Sequence, residues 1–301
     1  MNLVSEDSDP RYNMKLPCLV IPDGRVMKIF SGVRHFISSP IFYRSFPAIH
    51  CHPYPLRAGS KKRFLPITPQ DTADAMSILS INHAVVDTII FDFDGTLAKL
   101  NINFDQMRRA ITELVSRNGI DHQSLQHRFI LEIIGEASAI LRNHSLKKAQ
   151  SFTEEAYRII EGIEVEAAQR GELFNGTKEL LTALENHSIQ TGIITRNCSK
   201  AVHTVFPDIS SYCRIIVCRD DVNHVKPHPE QLNLALSRLG SKANRSIMIG
   251  DHPLDIETGR NAGTLTAGVL TGHFQEDDFM TAGANLVLPQ ALDILKLLGS
   301  A

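Results

Sequence analysis

Two carboxylates stand one residue apart where an apolar run ends, in Thr88-Ile89-Ile90-Phe91-Asp92-Phe93-Asp94-Gly95-Thr96-Leu97. Side chains two apart on an extended segment point the same way, so Asp92 and Asp94 can face one pocket at the strand's C-terminal end. Open parallel α/β sheets place their ligands at that edge. A surface turn rich in Asp and Gly is the ordinary alternative. A second run repeats the arrangement: Ser246-Ile247-Met248-Ile249-Gly250-Asp251, with Asp255 four residues on at the start of a helix. Acids in a first helical turn are often only caps, a reading that suits Asp255 better than Asp251. Two strands delivering carboxylates to one edge make an oxygen-rich site for Mg2+. That ion typically takes one or two protein carboxylates and completes its shell with water and substrate phosphate.

Other residues fit phosphate chemistry. Thr195 closes the run Gly192-Ile193-Ile194 and is followed by Arg196-Asn197, where a hydroxyl and free N–H groups suit phosphate oxygens. Alone, a threonine at a strand end says little. Lys226 sits in Val225-Lys226-Pro227-His228-Pro229, whose prolines stiffen the loop and keep a helix from absorbing it. A lysine is ordinarily a solvated surface charge, but beside two acids its compact ammonium can neutralise carboxylate and phosphate together. His224 and His228 are separated by proline, do not share a helix face, and are read as loop residues rather than a metal pair. Cys198, three residues beyond Thr195, is read as a buried structural thiol rather than a catalytic one.

These residues need elements to hold them. Val85 to Phe91 reads as one buried strand. From Asn101 to about Arg170 the apolar spacing is helical. One stripe is Phe104, Met107, Ile111, Leu114 and Val115; a longer one is Leu125, Phe129, Ile130, Ile133, Ile134, Ala137, Ile140 and Leu141. Ser151-Phe152-Thr153-Glu154 has the form of a capping box ahead of a third helix carrying Ala156, Ile159, Ile160 and Ile163. From Leu173 onward strands and helices alternate, with strands expected at 191–195, 215–217, 246–250 and 267–270 and helices at 177–187, 230–239 and 254–262. That alternation predicts an α/β fold, a doubly wound parallel sheet with an inserted helical bundle. The expected division is an extension over 1–80, a core over 81–100 plus 172–301, and a helical cap over 101–171.

Hydrophobic content of 43%, charged content of 21% and a formal charge of -2 suit a soluble globular protein and give no global reason for nucleic-acid or membrane-surface binding. No apolar run approaches the roughly 20 residues of a membrane span. The five cysteines form no Cys-x-x-Cys pair, which favours free thiols over a disulfide frame or zinc site. Residues 24 to 70 contain no acid but eight Lys or Arg, with scattered Ser and Pro and no lasting periodicity. The expectation is a disordered extension. Its basic, acid-poor character fits an organelle transit peptide, chloroplast in preference to mitochondrion, although Glu6, Asp7 and Asp9 spoil the very start. Met27 is an alternative initiator, and a solvated tail in a cytoplasmic protein is the other reading.

With these four segments in order, the chain resembles the haloacid dehalogenase (HAD) superfamily of phosphatases, more narrowly its phosphoglycolate phosphatase-like branch with a helical cap. The resemblance spans about Thr88 to Leu298 and rests on Asp92-Phe93-Asp94-Gly95-Thr96, Thr195, Lys226, and Gly250-Asp251 with Asp255; Phe174 to Leu181 also reads like the branch. It implies a Rossmann-like core and hydrolysis of a small phosphorylated metabolite. Asp92 would attack phosphorus to form an aspartyl-phosphate, and Asp94 would serve as acid and then base. Thr195, Arg196, Asn197 and Lys226 would bind the phosphate. Asp92, Asp94 through its carbonyl, and Asp251 would hold Mg2+, with Asp255 positioning Lys226 or a metal-bound water. Ala98-Lys99-Leu100 and His252 depart from the branch and count against phosphoglycolate as the substrate. A sugar-phosphate mutase carries the same motifs, and a catalytically silent binding protein of this fold is a further alternative. The oligomeric state is not readable from the sequence.

Overall fold

The computed structural model describes residues 79–81, 84–127 and 129–299, together with the backbone of two short strands nearer the N-terminus. Those two, β1 (Cys18–Val20) and β2 (Val26–Lys28), pair antiparallel with Cys18 opposite Lys28. Apart from Leu79 and Ser80, the rest of the expected disordered or transit-peptide extension over 1–80 lies outside the described residues.

The strand expected over Val85–Phe91 is two strands. β3 (Leu79–Ile81) and β4 (Ala84–Val86) form an antiparallel hairpin, and β5 (Thr88–Phe91) joins the main sheet. The break falls at Asp87, whose N–H donates to the Arg245 carbonyl at 3.0 Å and whose carboxylate takes Arg245 Nε at 2.6 Å. After β5 come β6 (Ala98–Lys99), three helices α1 (Phe104–Arg117), α2 (Ile130–Arg142) and α3 (Leu146–Ala168), and β7 (Glu172–Leu173). β6 and β7 pair antiparallel, Ala98 opposite Leu173, so the chain leaves and returns at one point. The remainder alternates: α4 (Thr177–Asn186), β8 (Gln190–Ile194), α5 (Ser199–Val205), β9 (Ile215–Val217), α6 (Glu230–Leu239), β10 (Ser246–Gly250), α7 (Pro253–Ala262), β11 (Leu265–Val269), α8 (Glu276–Ala282) and β12 (Leu286–Leu288).

Six strands form a parallel sheet in the order β12-β11-β10-β5-β8-β9. Helices cover both faces, so the central strands read as continuous apolar runs rather than alternating ones. Ile89, Ile90, Phe91, Ile193, Ile194, Ile247, Met248 and Ile249 have no exposed surface. β5 lies at the middle, with β10 on one side and β8 on the other. The two strands that end in carboxylates are therefore neighbours, and the strand leading to Thr195 flanks them.

The helices α1–α3 bury a separate core, with Met107, Ile111 and Leu114 against Ile133, Ile134, Phe152, Ala156 and Ile160. Their ends differ from expectation. Phe104 is exposed in the first turn of α1, and Leu125 and Phe129 precede α2 instead of belonging to it. The capping box expected at Ser151–Glu154 is absent, because α3 begins earlier with Ser145 accepting from the Lys148 N–H at 3.3 Å. Thr153 sits inside α3 and donates to the Ala149 carbonyl at 2.8 Å. No helix among the described residues is long and apolar enough to cross a membrane.

The bundle meets the sheet edge through paired charges. Glu164 of α3 grips Arg219, beyond the end of β9, with N–O distances of 2.5 and 3.0 Å, and both side chains are nearly inaccessible. Breaking a buried pair leaves an uncompensated charge and costs about 3–5 kcal/mol. Glu164→Ala is expected to lower unfolding free energy by about that amount in denaturant titration. A loss below about 1 kcal/mol, typical of an exposed pair, would contradict this account.

Candidate active site

β5 ends against β10, where the Asp92 N–H continues the ladder to the Ile249 carbonyl at 2.8 Å. Phe93, fully buried in the main core, pins the chain between the two acids. A tight turn follows: the Leu97 and Ala98 N–H groups both donate to the Phe93 carbonyl at 2.9 Å. Gly95 holds φ +88° in this turn, and a Cβ there would lie 2.2 Å from Asp251 Oδ2. Gly272 makes the same approach from the loop after β11, also 2.2 Å from Asp251 Oδ2. Only glycine permits such backbone and such contact.

Lys226 lies between two carboxylates. Its Nζ donates to Asp92 Oδ1 at 2.5 Å and to Asp255 Oδ1 at 2.6 Å. All three side chains are buried. The second Asp255 oxygen accepts the His252 N–H at 3.1 Å, so this acid also caps α7. Asp92, Asp251 and Asp255 bring carboxylate oxygens within 4.8 Å of one another, an all-oxygen set able to hold a hard cation. The Asp94 carboxylate is not in that cluster; its Oδ1 accepts the Leu100 N–H at 2.9 Å.

Burial dominates the ionisation of these acids. It raises Asp92 to about 7, with Lys226 opposing and Asp255 adding to the rise. It raises Asp94 to about 6, against the Leu100 hydrogen bond and the Lys226 charge. Asp251 is pushed to about 9 by burial and by repulsion from Asp92 and Asp255. Burial pulls the Lys226 ammonium down, but Asp255 and Asp92 outweigh it and raise it, so it stays charged.

Thr195 is fully buried; its hydroxyl donates to Asn197 Oδ1 at 3.1 Å and accepts the Asn197 N–H at 3.2 Å. Among the described residues the buried Asn197 Nδ2 has no protein hydrogen-bond partner, which leaves its amide N–H groups free for an anionic oxygen. Arg196 differs from expectation. Its guanidinium is taken up by Glu132 of α2, at 2.9 and 2.8 Å, and by the Lys226 carbonyl, so its side chain closes the bundle onto the sheet instead of facing a phosphate. Cys198 is buried, and burial followed by the nearby Glu164 charge pushes its thiol up to about 12, which keeps it protonated and inert.

A family profile described as haloacid dehalogenase-like hydrolase matches residues 89–269. The chain belongs to that family. A relative, an N-acetylmuramic acid 6-phosphate phosphatase from Pseudomonas putida, is 28% identical over 218 residues, covering 71% of this chain and 96% of the relative. A pyrophosphatase PpaX from Bacillus pumilus is 28% identical over 233 residues, covering 73% of this chain and all of the relative. A hydrolase structure from Pseudomonas syringae superposes with TM-score 0.50 at 23% identity, covering 70% of this chain and 96% of that one, and supports the fold.

Gln231 and Arg219 help shape this site without a sequence signal, and His252, noted in the sequence only as a departure from the branch, has a structural role there. Gln231, fully buried in the first turn of α6, accepts the Lys226 N–H at 3.1 Å and donates to the carbonyls of Thr195 at 2.8 Å and Val217 at 3.2 Å. Arg219 donates to the Arg196 carbonyl at 3.0 Å. His252 lies against Phe274, with ring centroids 4.5 Å apart, and its Nδ1 accepts the Leu254 N–H at 3.0 Å. Burial holds that imidazole below its usual value, so it caps α7 in the neutral form.

Asp92, Asp94 and Asp251 each fold with a pKa above the 3.8 of the free side chain. In chelator-treated protein the native state therefore keeps protons that the unfolded chain has shed, and this contribution to stability falls as pH rises from about 4 to about 9, the Asp94 part of it between about 4 and about 6. The Tm of the wild type relative to an Asp94→Asn variant is expected to drop between about pH 4 and about pH 6. A rising difference would contradict the assigned environment of Asp94.

Proposed function

We propose that the protein is a Mg2+-dependent phosphatase that hydrolyses a small phosphorylated metabolite through an aspartyl-phosphate on Asp92. The observation that carries this reading is Lys226 Nζ bridging Asp92 and Asp255 beside Asp251, at the C-terminal edge of a parallel sheet. The other Asp92 oxygen remains available to attack phosphorus, while Lys226 keeps the carboxylate oriented and offsets charge on the transferred group. As the Asp92–phosphorus bond forms, the bond to the leaving oxygen breaks. Asp94, with a pKa near 6 and held by Leu100, gives that oxygen a proton. It then takes a proton from the water that attacks the aspartyl-phosphate, which restores Asp92 and releases inorganic phosphate.

Thr195, the free Asn197 Nδ2 and Lys226 would bind the non-reacting phosphate oxygens. Arg196 is assigned to closing α2 over the site rather than to phosphate binding. Asp92, the Asp94 carbonyl and Asp251 would hold Mg2+, which supplies charge neutralisation for the phosphoryl group. Asp255, committed to Lys226 and the His252 N–H, is assigned to positioning the lysine. The helices α1–α3 act as the cap. A sugar phosphate and pyrophosphate open the substrate panel because the two relatives named above carry those activities in their names.

A panel of phosphorylated metabolites is expected to yield phosphate release that requires Mg2+ and falls to background in Asp92→Asn. Asp94→Asn is expected to lose about 10^2–10^4-fold in turnover. Release that persists without Mg2+ or in Asp92→Asn refutes the mechanism. Isomerised substrate appearing without free phosphate identifies a mutase instead.

A further inference from the structure

A second cluster of ligating side chains lies on the loop that carries Lys226. His224, His228 and Glu230 present donor atoms all within 4.8 Å of one another. His224 Nδ1 is 2.7 Å from Glu230 Oε2, and the two imidazole rings stand 4.6 Å apart. Backbone hydrogen bonds gather the group. The Glu230 carboxylate accepts the N–H groups of Asn223 and His224 at 3.1 Å each, and its own N–H donates to His228 Nδ1 at 3.3 Å. Spacing alone set these histidines aside as loop residues, because the helix-face rule for i and i+4 does not describe a loop that turns back at Pro227 and Pro229. Both rings are exposed, whereas the Lys226 side chain between them is buried toward Asp92 and Asp255. The cluster is thus separate from the carboxylate site.

We propose that His224, His228 and Glu230 form a second metal site, for a late first-row divalent cation such as Zn2+. Two imidazoles and one carboxylate are the donor set of open zinc sites, with the fourth position left to water. Imidazole suits Zn2+, whereas the all-oxygen set at Asp92 and Asp251 suits a harder ion. The ion replaces the proton shared by His224 Nδ1 and Glu230 Oε2, taking over a close approach the loop already makes. Its ligands stand two residues before, two after and four after Lys226, so the bound ion cross-links the loop across that lysine.

The test is zinc binding by the full chain, first stripped with chelator and then held in excess Mg2+, followed by calorimetric titration. Wild type and Asp92→Asn are expected to bind an equivalent of Zn2+ that the His224→Ala/His228→Ala double variant lacks. Glu230→Gln is expected to weaken it about tenfold or more. Zinc should raise the Tm of wild type and not of the double variant. Affinity should fall on acidification, because the imidazoles must be unprotonated to bind. Circular dichroism checks that the variants fold. An unchanged stoichiometry in the double variant places the ion elsewhere and overturns the proposal, as does its loss in Asp92→Asn or the absence of zinc binding altogether. Binding is read without activity, so failure here is distinguishable from failure of the phosphatase assignment.

Discussion

The site is organised around one buried ammonium. Lys226 has almost no solvent, and taking a charge out of water costs several kcal/mol unless partners replace the lost hydration. Asp92 and Asp255 supply that replacement, and each is itself buried. None of the three is stable alone in such surroundings; the cluster is tolerable only as a set. A protein that holds like-charged acids at this density needs positive charge close by, and the lysine provides one unit of it.

The rest of the edge serves to keep that set in register. Gln231 ties the Lys226 backbone to the ends of β8 and β9, and Asn261 Nδ2 holds the Pro227 carbonyl at 3.1 Å. Gly95 and Gly272 let two loops close onto Asp251, while Thr271 Oγ1 donates to the Gly95 carbonyl at 2.5 Å. The elements are therefore fixed by side-chain-to-backbone hydrogen bonds and glycine contacts, and Asp92 and Asp255 are fixed by the lysine.

Much of this was legible in the chain. Asp92, Asp94, Thr195 and Asp251 stand at or just beyond strand ends, where apolar runs of strand length give way to polar residues; Asp255 opens the helix after one such end, and Lys226 is marked by the prolines of its loop. Those transitions are local, so order along the sequence reveals them. The strands at 215–217 and 246–250 and the helix at 230–239 coincide with their expected limits for the same reason. What escaped depends on partners far away in sequence. Nothing near Asp87 announces that Arg245 splits the first strand there, and nothing near Gln231 announces its bond to Thr195. The side chain of Arg196 looked like a phosphate ligand because Glu132 is 64 positions upstream. The capping box at Ser151 failed because Ser145 offers the same chemistry earlier, and a helix starts at the first adequate cap.

The Arg196–Glu132 clasp has a mechanical consequence. Arg196 directly follows the hydroxyl-bearing Thr195, and its guanidinium also holds the Lys226 carbonyl. One side chain, on the loop that follows β8, is thus joined to α2 and to the lysine loop at once. Any shift of α2 that drags Arg196 with it pulls on the backbone that carries the ammonium. The helical bundle and the lysine loop share one pin, so a displacement of either is felt by the other.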